Sequence, residues 1–453
     1  MGIYIICSYI MVANNSLTGN YEDLSEIRQN RAPNTLDAIL YQKGEDIPRH
    51  PRKYLHHLSN PENEFTDLFV DRIGNMSLSD TGRIENELVR QNVLYAVENS
   101  PFYQNKYKKA LKLDSKEGLV GWVEENIQAS DDLEMLPVLT NHDFKTASTG
   151  YSWGLMIPGK AEELKKMDTF VCNYQTGGTT GAGVASVIPY SEIDKQASAY
   201  EMLAGLVKYG GIEKGGKVLI VAPGQPHPFG PIVETALEKY SNTIHWKHFS
   251  PATTSAKIVD YIKLLGEQEG IDCIVGAPHG PKGAQASLDM LVQADEENGT
   301  DVFEDHLKGK NVVVGGSPTK RDFAIKLYDI FDKVTNQYGS AQFMGGNAPM
   351  REIWTDDDGL FSADAYKTRG YWSIRELKDS NAPEPWSRMK LTVLGRDILP
   401  IINYDPSDYV QITETPDGML LKYICRVEFF KELPGGGYTI EIPSGIMSCV
   451  SGV

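Results

Sequence analysis

An α/β fold with a largely parallel sheet and flanking helices is expected of this chain, and three observations predict it. The segments KVLIVAP (Lys217 to Pro223), DCIVGAP (Asp272 to Pro278) and NVVVGGSP (Asn311 to Pro318) are short apolar runs ending in Gly or Pro. Strands buried on both faces of a sheet read this way. Helical patterns alternate with them, as in strand–helix–strand units. Finally, 453 residues with 41% hydrophobic and 9% aromatic content suffice for two or three domains with large cores.

Charge and cysteine usage narrow the class of protein. Forty-four basic against 61 acidic residues give a formal charge of −17, which repels nucleic-acid phosphates and anionic lipid. Neither nucleic acid nor a membrane is expected as a partner. Cys7, Cys172, Cys273, Cys425 and Cys449 show neither zinc spacing nor an even-numbered disulfide framework, a pattern that fits a reducing cytoplasm. The opening MGIYIICSYIMVANN is too short to span a bilayer and lacks the basic start of a signal peptide. It reads as a frayed start or an edge strand, with Met11 as an alternative first residue.

Residues from Asn15 to about Ser79 are polar, Pro/Asn-rich and weakly patterned, so residues 1–79 are expected to form a partly irregular arm wrapped on the body. Asp80 then opens a helix whose stripe is Ile84, Leu88, Val93, Ala96 and Val97, with Pro101 ending it. SEIDKQASAYEMLAGLVKYGG is the best-marked helix. Ser191 caps it, Ile193, Ala197, Tyr200, Leu203 and Val207 form its buried stripe, and Gly210-Gly211 stop it.

The segment CNYQTGGTTGAGVAS (Cys172 to Ser186) runs from a strand straight into small residues carrying three threonine hydroxyls. Ligands of parallel sheets sit outside the carboxyl ends of the strands, where backbone N–H groups and hydroxyls can wrap phosphate oxygens. It is not a Walker A loop, since no Lys-Ser/Thr follows Gly183, and the glycine spacing excludes a dinucleotide fingerprint. Read alone, it serves equally well as a hairpin turn between strands.

Company in sequence order decides more than the loop alone. VRQNVLYAVENSPFYQNKYK, MLPVLTNHDF, GLMIP, TGGTTGAG, GQPHPFG, IVGAPHG, VVVGGSP, NQYGSAQ and LPIINYDPSDYVQI each resemble a block of the phenylacetate-coenzyme A ligase branch of the adenylate-forming superfamily, in family order. The resemblance spans roughly Val89 to Lys431. It implies a large α/β body with layered sheets and flanking helices over residues 80–426, and a hinge with only the stub of a C-terminal lid domain over residues 427–453.

The resemblance also implies roles. Thr176, Gly177, Gly178, Thr179, Thr180 and Gly181 would clasp ATP phosphates. Gly316, Ser317 and Pro318 with Tyr338, Gly339 and Ser340 would form the adenine slot, where an aromatic ring gives the base a face to stack on. Asp408 would accept both ribose hydroxyls, Arg426 would touch the ribose before the hinge, and His227, Phe229, Gly276, Ala277, His279 and Ala341 would line the acid pocket. Thr179, Gln342 and Arg426 are the catalytic candidates, and Thr179 with Gln342 would face Mg²⁺.

Each of these residues has a plainer reading. Asp408 serves as a turn carboxylate, Tyr338 as core, His227 and His279 as surface-loop histidines, and Arg426 as half of a surface ion pair.

The implied reaction is attack of a carboxylic acid on ATP to give an acyl-adenylate, followed by transfer to coenzyme A. The alternatives are transfer to an amine, or a catalytically weak nucleotide-binding subunit. A homodimer and a separate lid subunit are the assemblies in view. Two departures bear on this. GAGVAS lacks the basic residue the family has after its glycine loop, and Gln342 stands where the family has a metal-binding glutamate, so weaker metal binding is expected.

Overall fold

The computed structural model describes residues 22–34, 37–38, 78–146, 155–166, 171–175, 187–222, 228–238, 240, 243–246, 254–279, 287–315, 319, 321–339, 349–354, 361–366, 372–377, 382, 386–415, 418–427, 430–432, 434, 437–442 and 445–451. In chain order the helices are α1 (Glu22–Arg28), α2 (Leu78–Asn99), α3 (Pro101–Leu111), α4 (Lys116–Asn126), α5 (Asn141–Thr146), α6 (Lys160–Lys166), α7 (Glu192–Lys208), α8 (Phe229–Leu237), α9 (Ser255–Gln268), α10 (Leu288–Asn298), α11 (Val302–Leu307) and α12 (Arg321–Ile330). The strands are β1 (Leu139–Thr140), β2 (Val171–Gln175), β3 (Val187–Ser191), β4 (Lys217–Val221), β5 (Thr243–Trp246), β6 (Cys273–Gly276), β7 (Asn311–Gly315), β8 (Lys333–Gln337), β9 (Pro349–Trp354), β10 (Phe361–Tyr366), β11 (Trp372–Leu377), β12 (Ser387–Val393), β13 (Ile401–Asp405), β14 (Asp408–Thr415), β15 (Gly418–Arg426), β16 (Phe430–Glu432), β17 (Gly437–Ile442) and β18 (Gly445–Ser451).

The three apolar runs become the neighbouring parallel strands β4, β6 and β7, flanked by β5 and β8 in the order β5-β4-β6-β7-β8. Their side chains alternate between two cores, as period-two geometry requires. Val218 and Ile220 of β4 join one core with α7 and α8, whereas Leu219 and Val221 join a second core with α9, α10, α11 and α12. Beyond β8 the sheet continues antiparallel through β9, β10, β15, β14, β12 and β13. A separate three-stranded antiparallel sheet holds β16, β17 and β18.

Helix α7 starts as its sequence demands. The Ser191 hydroxyl accepts from Asp194 N at 3.0 Å and the Asp194 carboxylate accepts from Ser191 N at 2.9 Å, a reciprocal cap. After the helix, Gly211 takes φ +68, which favours glycine. The expected single stripe is too narrow, however: Gln196, Ser198 and Glu201 are buried as well. Layers on more than one side enclose this helix. Helix α2 begins at Leu78, two residues before the expected Asp80, and Pro101 stands at the first position of α3.

Part of the polar N-terminal segment lies deep in the body. Leu24 and Ile27 of α1 join the first core, and Arg31 makes a fully buried two-pronged ion pair with Asp37 at 2.6 and 2.7 Å. Asn92 Nδ2 of α2 donates to Pro33 O at 2.9 Å, and Ala32 N donates to Asp397 Oδ1 at 3.2 Å. The chain passes so close to the loop after β12 that a Cβ on Gly395, whose φ is +85, would lie 2.3 Å from Asn34 Cβ. Gly395→Ala is therefore expected to destabilise the fold by about 3 kcal/mol or more, from left-handed strain plus overpacking. A urea midpoint equal to the parent's would contradict this docking.

Asp397 gathers the same region. It accepts from Tyr95 Oη at 2.8 Å, lies 3.8 Å from the Lys160 ammonium, and its own N–H donates to Asp194 Oδ1 at 2.9 Å. Burial, which outweighs the nearby Lys160, pushes its carboxyl up to about 6. The folded protein thus holds a proton there that the unfolded chain releases between about 4 and about 6. Stability from this group is present below that window and is lost as pH rises through about 6. In Asp397→Asn, which does not titrate, the slope of urea midpoint against pH across the window is expected to flatten; an unchanged slope would assign the proton elsewhere.

Candidate nucleotide and acid site

The parallel strands set where a ligand can sit. From β4 the chain moves outward to β5 through α8 on the first-core face, then returns past β4 to β6 through α9 on the second-core face. Strand order therefore reverses between β4 and β6, and the crevice of an open α/β sheet opens outside the carboxyl ends of such a pair. Phe229 follows β4, while Gly276 ends β6 and Ala277 and His279 follow it. The acid-pocket candidates among the described residues are thus all placed at or after the carboxyl ends of β4 and β6.

Their local contacts differ. Phe229 is buried, and a Cβ on Gly315, the last residue of β7, would lie 3.1 Å from its ring and 3.1 Å from Gln337 O. A Cβ on Gly276 would lie 2.7 Å from Val221 O, so glycine is needed there for the close approach of β4. His279 is only 8% exposed, which removes the surface-loop reading. Its Nδ1 sits 2.7 Å from Asp289 Oδ2, and its ring lies 5.3 Å from that of Phe323 on α12.

Burial raises the Asp289 carboxyl, but hydrogen bonds from His279 and Ser287 outweigh it and hold the group below the ordinary carboxylate value. Asp289 and Phe323 were not among the sequence candidates. The one signal was Ser287-Leu-Asp opening a helix, where the Ser287 hydroxyl donates to Asp289 Oδ1 at 2.5 Å.

The nucleotide candidates come from distant parts of the chain. Tyr338 and Gly339 follow β8, and Asp408 opens β14. Tyr338 is 9% exposed and belongs to the first core, yet its hydroxyl donates to Asp408 Oδ2. The core reading holds for it, and its hydroxyl meets the other candidate, Asp408. Asp408 is 3% exposed, and its backbone pairs in register with Arg426, so these two candidates are cross-strand partners.

A shaped turn delivers Asp408 to this place. Arg388 forms an ion pair with Asp405, Asp405 Oδ1 accepts from Ser407 N at 2.7 Å, and Ser407 takes φ +65. Asn403, also left-handed at φ +52, donates from Nδ2 to Leu133 O and Leu136 O at 3.1 and 2.9 Å.

Strands β2 and β3 pair antiparallel from Val171↔Ser191 to Gln175↔Val187, so the Gly/Thr segment is closed at its base by a hairpin. Arg396 holds this hairpin from behind: its guanidinium lies 3.5 Å from the Tyr190 ring centroid and donates to Pro189 O at 3.0 Å. Thr176, Gly177, Gly178, Thr179, Thr180, Gly181, His227, Gly316, Ser317, Pro318, Ser340, Ala341 and Gln342 lie outside the described residues. Among the described residues no cluster of His, Cys, Asp and Glu could hold a metal ion, and no helix is long and apolar enough to cross a membrane.

No family model matches the chain, and no curated protein does. Solved structures do. One is 2-hydroxyisobutyryl-CoA ligase in the postadenylation state in complex with R3-HIB-AMP, at TM-score 0.60 and 15% identity over 83% of this chain and 73% of that chain. Another is an open conformation of the same ligase with 2-HIB-AMP and CoA, at TM-score 0.57 and 16% identity over 82% of this chain and 75% of that chain. The chain shares the fold of that ligase. The alternating strands, the two cores and the mixed sheet described above are the α/β architecture with layered sheets and flanking helices that the resemblance implied.

The anchoring of His279 yields a direct test. His279→Phe keeps a ring against Phe323 but removes the hydrogen bond to Asp289, with an expected loss of about 1 kcal/mol, since Asp289 is half-exposed. By carboxyl NMR, Asp289 should then titrate closer to the ordinary carboxylate range; an unmoved titration would mean that other groups hold it down.

Proposed function

We propose that this chain activates a carboxylic acid with ATP. A carboxylate oxygen attacks the α-phosphorus, pyrophosphate leaves, and the acyl-adenylate then yields its acyl group to the thiol of coenzyme A. The observation that supports this reading is the meeting of Tyr338 and Asp408, from two sequence blocks, in a fold shared with a ligase solved in complex with 2-HIB-AMP and CoA. An aromatic face and a carboxylate with paired acceptors suit an adenine and a ribose diol.

In this proposal Arg426 joins Asp408 at the ribose, and Gly316, Ser317, Pro318, Gly339 and Ser340 complete the adenine slot. Thr176 to Gly181 hold the phosphates, with Thr179 nearest the reaction. His227, Phe229, Gly276, Ala277, His279 and Ala341 shape the acid pocket, for an acid of the aryl-acetate class in keeping with the branch resemblance. The protein's part is positioning and neutralisation of charge as the phosphorus is attacked. Thr179 and Gln342 would hold Mg²⁺, which would neutralise charge on the phosphate oxygens.

Gln342 and the absence of a basic residue in GAGVAS favour a second reading, in which the chain binds nucleotide or acyl-adenylate but turns it over slowly. Both readings require ATP binding. Millimolar ATP is expected to raise the melting temperature, since a ligand of the native state alone stabilises it by mass action. Asp408→Ala should remove most of the shift. No shift in the parent would end both readings, whereas a shift without acid-dependent pyrophosphate exchange would select the second.

A further inference from the structure

The Tyr338–Asp408 contact has a use beyond stacking. A carboxylate that takes two vicinal hydroxyls must present both oxygens in one plane and at one angle. A side chain with two free torsions does not hold such a plane unaided. The Tyr338 hydroxyl, itself nearly buried, donates to Oδ2 of Asp408. The tyrosine's own place is set by the end of β8, where Asn336 and Gln337 are buried and Gln337 meets Met202 of α7.

We infer that Tyr338 is a positioning residue: its phenol fixes the Asp408 carboxylate in the orientation that reads the nucleotide's ribose hydroxyls, and so sets discrimination between ribose and deoxyribose nucleotides. This rests on the nucleotide site proposed above. It adds a distinct role, because an aromatic ring stacked on a base has no need of a phenol, and phenylalanine would serve that purpose equally. No proton moves and no bond breaks; the effect is orientation of a preformed acceptor.

The contact also joins two halves of the sheet. β8 closes the parallel half and β14 belongs to the antiparallel half, so the phenol–carboxylate bond ties a base-facing residue of one to a sugar-facing residue of the other. A nucleotide bridging the two would meet both through a single hydrogen-bonded unit.

The test measures Kd for ATP and for 2′,3′-dideoxy-ATP by calorimetry on the full chain. The parent is expected to prefer ATP by about tenfold or more, the scale of hydrogen bonds to a charged acceptor. Tyr338→Phe keeps the ring and should cut that preference about three- to tenfold, weakening ATP while leaving the dideoxy analogue nearly unchanged. Tyr338→His, with a ring N–H donor, should fall between the two. In the Asp408→Ala background, Tyr338→Phe should change neither affinity further.

A parent that binds ATP with the preference intact in Tyr338→Phe would overturn this inference and leave the nucleotide site standing. Equal losses for both nucleotides would overturn it too, and would assign Tyr338 to stacking or folding. Should Tyr338→Phe fail to fold, Tyr338→His carries the same comparison. A parent that binds neither nucleotide would remove the site itself, and the positioning role with it.

Discussion

The short loop between β12 and β13, Leu394 to Pro400, is the constraint on which the frame of the proposed site depends. Gly395 N donates to Asn92 Oδ1 at 2.8 Å and its left-handed backbone lets Asn34 pass. Arg396 stacks on Tyr190 and donates to Pro189 O, fixing the β2–β3 hairpin. Asp397 joins Ala32, Tyr95, Lys160 and Asp194, and Ile398 O accepts from Ile157 N at 3.0 Å. One loop thus fixes the N-terminal segment, α2, α6, α7 and the hairpin relative to β13, which leads to Asp408 at the start of β14. Buried polar groups act this way because in a low dielectric each is costly to leave unmatched, so few alternative arrangements compete.

Legibility in the sequence followed period and punctuation. β4, β6 and β7 were readable because strands buried on both faces are continuous apolar runs, and α7 because its cap and its glycine stop are local chemistry. The N-terminal segment was not readable as core. Arg31, Asn34 and Asp37 are polar residues that a surface reading sends outward, yet they are fully buried because each meets a partner supplied by folding. Arg396 and Asp397 escaped notice for the same reason, as did the all-round burial of α7, since a helical stripe shows where a helix must be apolar and not where its polar residues find partners.

The site divides along the same line. Phe229, Gly276, Ala277 and His279 could be drawn to one edge because they follow strands of a parallel sheet, and the switch point gathers them without any side-chain knowledge. The union of Tyr338 with Asp408 is a different kind of fact. Strands β9 to β13 intervene in sequence, and only their antiparallel course returns the chain to the end of β8. Family register named the two residues; a hydrogen bond between them is a property of the folded chain alone. Similarly, Asp289 was invisible beside His279 because the pair is made across a helix start rather than along a strand.

Electrostatics gives the proposed nucleotide a direction. In a chain of net charge −17, an anion of several charges is drawn in only where donors concentrate and carboxylates are absent. Asp408 is an acceptor, favourable for hydroxyls and repulsive for phosphate, so in the proposed site it would select the sugar and turn the triphosphate away. The hairpin based at Gln175↔Val187 carries TGGTTGAGVAS, which contains no acidic residue and offers hydroxyls and glycine N–H groups. In the proposed site a carboxylate at the sugar and uncharged donors at the phosphates would polarise the nucleotide along its length. That polarity follows from residue types alone, and under the proposal the α-phosphorus, which the acid has to reach, lies between the two.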